Sequence, residues 1–221
     1  MASGLYAAAA ALAVVFVIRL VRRLRMRYSP VYGWWTLSFA FYALSFVMEA
    51  VTVGSHWRIW EYQLYIMGSA GLVGAMSAGT VYLARPRSWI ARGYAIYVGV
   101  VELALIGFTL ASPPVLHGSW AMLNSGQHAI VGWPRVAYLL LSAVGGPIVV
   151  LSTGWSWWKT RKHPVLLIAV GALIPTVAGT LASQGITTAV FPLLNIVGLV
   201  LIFIGYLHAG PSSPQKTSAA A

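Results

Sequence analysis

Seven stretches of this chain, near residues 3–20, 32–54, 61–84, 89–111, 134–155, 164–184 and 188–208, are strongly apolar and carry very little charge. Each is close to the roughly 17 to 25 residues that a helix needs to cross a bilayer. Only 3 of the 221 residues are acidic, and 59% are hydrophobic against 8% charged. That leaves too little polar surface for a soluble domain. The expectation is an all-α membrane protein in which residues 1–209 form a single seven-transmembrane helix bundle and residues 210–221 a disordered cytoplasmic tail.

The cations fix an expected orientation. Arg19, Arg22, Arg23, Arg25 and Arg27 follow the first stretch, and Arg85, Arg87 and Arg92 surround the third turn. Lys159, Arg161 and Lys162 fill the fifth turn, and Lys216 lies in the tail. Alternating spans put these twelve on one side and leave Arg58 and Arg135 on the other, so the positive-inside rule predicts the N-terminus outside and the C-terminus cytoplasmic. The first stretch has no basic residue before it and five arginines after it, the reverse of a secretory signal. All ten tryptophans fall near expected helix ends or in loops, where an amphipathic ring prefers the headgroup layer. The formal charge of +11 therefore reads as topology. The bilayer is the expected partner, and no nucleic acid is expected.

Several chemistries are disfavoured. With no cysteine there is no disulfide, thiolate metal site or cysteine-ligated cluster. His56, His117 and His128 fall on the expected outer side, but their spacings match no metal motif. No nucleophile–base pair or phosphate-binding loop is visible, so neither enzyme activity nor a cofactor is expected.

Packing signals point to the middle of the chain. Gly71, Ala75 and Gly79 recur every four residues in the third stretch, letting neighbouring backbones approach and making that helix central. Pro147, Pro175 and Pro192 each remove a backbone donor and can kink or break a span. The long loop at 112–133 is apolar enough to form a short interfacial helix capping the bundle.

The scarce acids supply the candidate site. Glu49 and Glu61 flank the turn centred near Ser55, so an antiparallel hairpin puts them at similar depth, facing each other. Arg58 and Arg135 lie on the same side. Glu102 is nine residues from the end of its stretch, roughly 13 Å down at 1.5 Å per residue, near the midplane. Burying an ionisable residue in a span costs a few kcal/mol unless it is partnered, so these residues outline a ligand site by default. Tyr62, Gln63, Tyr65, Gln184 and Asn195 could join them. Two carboxylates close together call for a shared cation or a retained proton. The structural alternative is an interfacial salt-bridge cluster, with Glu102 hydrogen-bonded across a helix contact.

The basic run after the first stretch, then "WWTLSFAFYALSFVMEA" (Trp34 to Ala50), then "WRIWEYQLYIMGSAGLVGA" (Trp57 to Ala75), resembles the seven-transmembrane input region at the N-terminus of some bacterial sensor histidine kinases. The resemblance covers about the first 85 residues and implies a ligand-sensing bundle in a prokaryotic cell membrane. No output domain follows the seventh stretch, so a signal would pass to a separate cytoplasmic or membrane protein. "RIWEY", Arg58 to Tyr62, is similar to an element of rhodopsin-like pumps, but residues 188–208 hold no lysine for a retinal Schiff base. The expected function is small-ligand sensing or binding at Glu49, Arg58, Glu61, Tyr65, Glu102, Arg135 and Asn195, the ligand arriving from the outer side. The alternatives are a small-solute or proton-coupled transporter and a non-catalytic subunit of a larger complex.

Overall fold

In hydrocarbon every backbone polar group must be satisfied within the protein, and helices do this segment by segment. The computed structural model, which describes residues 2–85, 87–117, 120, 123, 129–183 and 190–208, is helical throughout its regular structure. Among the described residues its seven long helices are α1 (Ala2–Met26), α2 (Pro30–Thr52), α3 (Ile59–Ala84), α4 (Trp89–Ala111), α5 (Trp133–Thr160), α6 (His163–Ser183) and α7 (Val190–His208). Six are long and apolar enough to cross a membrane; α6 is apolar over His163–Pro175. The chain is a multi-pass membrane protein.

Local chemistry sets the helix ends. Pro30 opens α2 directly after Ser29, where its missing N–H costs nothing. The Ser88 hydroxyl caps α4 by accepting the Ile90 N–H at 3.1 Å. Arg161, left-handed at φ 52, closes α5 and turns the chain into α6. α1 runs six residues beyond the expected 3–20. Arginine is a good helix former, and its long stem lets the charge reach water while the backbone stays helical.

The order of packing follows the small residues. α3 packs against α2, α4 and α5; α6 lies between α5 and α7; and α1 touches both α2 and α7. A ring α1–α2–α3–α5–α6–α7 closes in this way, with α4 outside the α3–α5 seam. α3 is the most buried of the six apolar spans, as its glycine pattern predicts. A Cβ on Gly68 would lie 3.0 Å from the Phe41 carbonyl oxygen, and one on Gly145 would lie 3.1 Å from that of Val73.

Neither internal proline breaks its helix: Pro147 sits inside a continuous α5 and Pro175 inside a continuous α6. Pro192 falls in the first turn of α7, where an N–H has no helical partner to lose. Pro175 has no N–H to offer the Gly171 carbonyl four residues earlier. That carbonyl instead lies against Gly198 of α7, 2.7 Å from where a Cβ would stand. Gly205 repeats the arrangement two turns on, 2.6 Å from the Pro164 carbonyl by the same measure. α6 and α7 are thus held backbone to backbone.

Alternation of the helices gathers the cations at one end of the bundle, at the close of α1 and in the α3–α4 and α5–α6 turns. The opposite end carries the α2–α3 turn and the segment between α4 and α5. We refer to these as the arginine-rich end and the lidded end. The tail at 210–221 lies outside the described residues.

Candidate functional site

The lid is aromatic. Trp57, in the α2–α3 turn, stacks on Trp120 with centroids 6.0 Å apart and planes 5° from parallel. Trp120 donates its indole N–H to the Thr52 hydroxyl at 3.0 Å and meets Tyr6 of α1 edge-on at 5.7 Å. Tyr62 donates to the Leu123 carbonyl at 2.8 Å, and the Val115 N–H donates to the Ala129 carbonyl at 2.9 Å. Trp120 and Leu123 are both helical, and Leu123, Ala129 and Ile130 are buried in the main core cluster. The α4–α5 segment therefore folds back over the bundle at these residues.

Beneath the lid lies Glu49, 1% exposed. Tyr42 on its own helix, Tyr65 on α3 and Tyr138 on α5 are all within electrostatic reach of its carboxylate. Tyr42 stands seven residues before Glu49, two turns away on the same helix face. Tyr65 packs on Trp57 at 5.2 Å and on Tyr62 at 5.9 Å, linking the carboxylate's surroundings to the lid.

Glu61 has a job in the fold. Its Oε2 accepts the backbone N–H of Arg58 at 2.9 Å, which is the glutamate half of a capping box at the start of α3. The other half is chemically unavailable, because a guanidinium has no acceptor. Arg58 and Arg135 are both exposed.

Glu102 differs from both. It is 8% exposed, and neither carboxylate oxygen has a hydrogen-bond partner among the described residues. Oε1 lies 2.8 Å from where a Gly71 Cβ would stand, and the Phe41 ring edge is equally close to that point. The carboxyl is set into a niche made by a missing side chain on α3 and walled by α2. Counted from the arginine-rich end, Phe41, Gly71 and Glu102 are 11, 13 and 13 residues along their helices, about 17–20 Å deep, near mid-bilayer.

Asn195 is fully used by the fold. Its Oδ1 accepts from the Tyr42 hydroxyl at 2.9 Å and its amide donates to the Phe191 carbonyl at 2.8 Å, tying α2 to α7. Gln63 donates to the Thr109 carbonyl at 2.8 Å and ties α3 to α4. Gln184 and His128 lie outside the described residues. His56 and His117 are exposed, and no group of three potential ligands for a metal occurs among the described residues.

The structure therefore separates the expected cluster into a lidded Glu49 with its tyrosines, a capping Glu61, two exposed arginines and a deep Glu102. Sequence reasoning missed Tyr138 and the Trp57–Trp120 stack. Tyr138, three residues after Arg135, was findable as the next residue on that helix face; the stack joins the α2–α3 turn to the segment between α4 and α5 and has no periodic signal. Compared with known proteins, the chain matches no family model, no curated protein and no solved structure.

Proposed function

We propose that this protein binds a small ligand bearing a cationic group, within the half of the bundle that contains its three acids, and acts as a receptor-like sensing or binding protein. The observation that carries this reading is Glu102, whose two buried oxygens have no hydrogen-bond partner among the described residues. Where the chain uses an acid structurally, as at Glu61, the oxygen is hydrogen-bonded. Glu102 is held at an energetic cost that burial of an unpaired polar group always carries. A partner from outside the chain accounts for that cost. Glu49 beneath the aromatic lid supplies a second anionic position, and tyrosine and tryptophan faces attract cations.

The charge asymmetry supports an N-terminus on the outer side, with the lidded end facing out. The likeness of Trp34–Ala50 and Trp57–Ala75 to bacterial sensor input regions supports a prokaryotic cell membrane and a sensing role. The mid-depth of Glu102 also favours a second reading, a transporter that cycles a cation or proton through this carboxyl.

The test is a thermal-shift screen of small organic amines on purified wild type and Glu102→Gln, paired with flux measurements in liposomes. Saturable stabilisation of wild type alone, without flux, is the expected result. Flux abolished by Glu102→Gln moves the assignment to transport. If no amine distinguishes the two proteins and neither supports flux, the binding role is wrong and a subunit role takes its place.

A further inference from the structure

The arginine-rich end poses a question of charge balance that the ligand site does not answer. Arg19 and Arg23, one turn apart on α1, lay their guanidinium groups over rings of α7: Arg19 over Phe203 at 5.5 Å and Arg23 over Tyr206 at 4.5 Å. Phe16 completes the seam, edge-on to both rings at 5.1 Å. Stacking uses the guanidinium face and leaves the N–H edge, with its fork of donors, available for an oxyanion.

Among the described residues no side-chain carboxylate lies at this end to supply one. Glu49 is 19 residues from the start of α2 and Glu102 is 13 from the start of α4, about 29 Å and 20 Å along the helix axes from this end. Glu61 caps α3 at the lidded end. A second observation points to the same place. Tyr206 is 4% exposed, and its buried hydroxyl has the Arg23 guanidinium as a polar neighbour, with no further hydrogen-bond partner among the described residues. Tyr206 can occupy at most part of the Arg23 donor fork, and neither arginine has a carboxylate side chain at this end among the described residues.

Depth identifies the occupant. α1 is 25 residues long, about 37 Å, against a hydrocarbon core of about 30 Å. Its last turns, which include Arg23, therefore stand in the headgroup layer, and Arg19 reaches that layer along its stem. We propose that Arg19 and Arg23, the latter positioned by Tyr206, form a site for the phosphate of an anionic phospholipid headgroup, seated on the α1–α7 seam. Basic pockets between spans are the setting in which such headgroups are held. Because the seam closes the helical ring, the bound lipid also clamps α1 to α7.

The test measures retained lipid and thermal stability of the full chain in nanodiscs or mixed micelles containing phosphatidylglycerol or phosphatidylcholine. Wild type is expected to keep phosphatidylglycerol through delipidation and to be stabilised by it over phosphatidylcholine. The R19Q/R23Q double variant is expected to retain it on the order of tenfold or more weakly. R19K/R23K preserves charge and guards against misfolding; it is expected to fall between the two, because an ammonium offers no planar fork. Tyr206→Phe, which keeps the ring, is expected to weaken retention by a smaller factor. Equal retention by wild type and R19Q/R23Q overturns the proposal, as does equal stabilisation by the two lipids. Stabilisation by inorganic phosphate that matches phosphatidylglycerol also overturns it, since the site would then take a free anion.

Discussion

Replacing Gly198 by alanine would place a methyl carbon 2.7 Å from the Gly171 carbonyl oxygen and 2.7 Å from Cδ of Pro175. Ordinary contacts begin at 3.4 Å, so α6 and α7 must part by about 0.7 Å, a shift that a packed interior resists. Neither obstacle can swing aside, one being backbone and the other a ring. Overpacking of this kind costs about 1–3 kcal/mol, and alanine's greater helix preference returns about 0.5–1 kcal/mol. The expected net loss is about 0–2.5 kcal/mol, centred near about 1 kcal/mol. Gly171→Ala should behave alike, since its Cβ would lie 2.6 Å from the Gly198 carbonyl. Both substitutions open the same gap, so the double variant should lose clearly less than the sum of the singles. The assay is unfolding by SDS in mixed micelles, followed by circular dichroism. Gly146→Ala, which meets nothing within 4 Å, is the control and should be unchanged or slightly more stable. Gly198→Ala unfolding together with that control would refute the backbone-to-backbone packing of α6 on α7.

Other substitutions separate structural from ligand-directed polar groups. Glu61→Ala should cost about 0.5–2 kcal/mol through loss of the α3 cap, whereas Glu61→Gln, which keeps an acceptor, should recover most of it in the same unfolding assay. Tyr42→Phe should cost about 0.6 kcal/mol, the average for hydrogen bonds between spans, and at most about 1.7 kcal/mol; added to Asn195→Ala it should cost little more. Glu102→Met removes an unpaired buried carboxyl and should raise stability by about 1–3 kcal/mol while abolishing amine-dependent stabilisation. An unstable Glu102→Met protein would mean that the carboxyl holds the fold together.

Much of the architecture was written in composition and periodicity. Six of the seven expected spans were legible as helices long and apolar enough to cross, because the bilayer demands length and apolarity of each helix separately, a condition a single segment meets or fails alone. The central place of α3 was legible from Gly71, Ala75 and Gly79, because close helix approach requires small residues wherever it occurs. Helix ends were less so: α1 outran its apolar stretch because arginine continues a helix through the interface. The breaks considered for Pro147 and Pro175 did not occur, because one missing N–H costs a long helix a single bond, and at Pro175 the freed Gly171 carbonyl packs on Gly198.

The site divides in the same way. Scarcity alone drew attention to Glu49, Glu61 and Glu102, since three acids in an apolar chain are costly wherever they sit. Which of them the fold consumes depends on distances of a few ångströms between segments far apart in sequence. Glu61 turns onto its own helix start, Glu49 lies among tyrosines of three helices beneath a tryptophan stack, and Glu102 meets a glycine on α3. The sequence by itself determined that the chain crosses a membrane and where its charges lie, because those are one-dimensional properties. Only the tertiary structure decided which charges have partners, because a partner is a matter of which helix faces which, and no span carries that in its own residues.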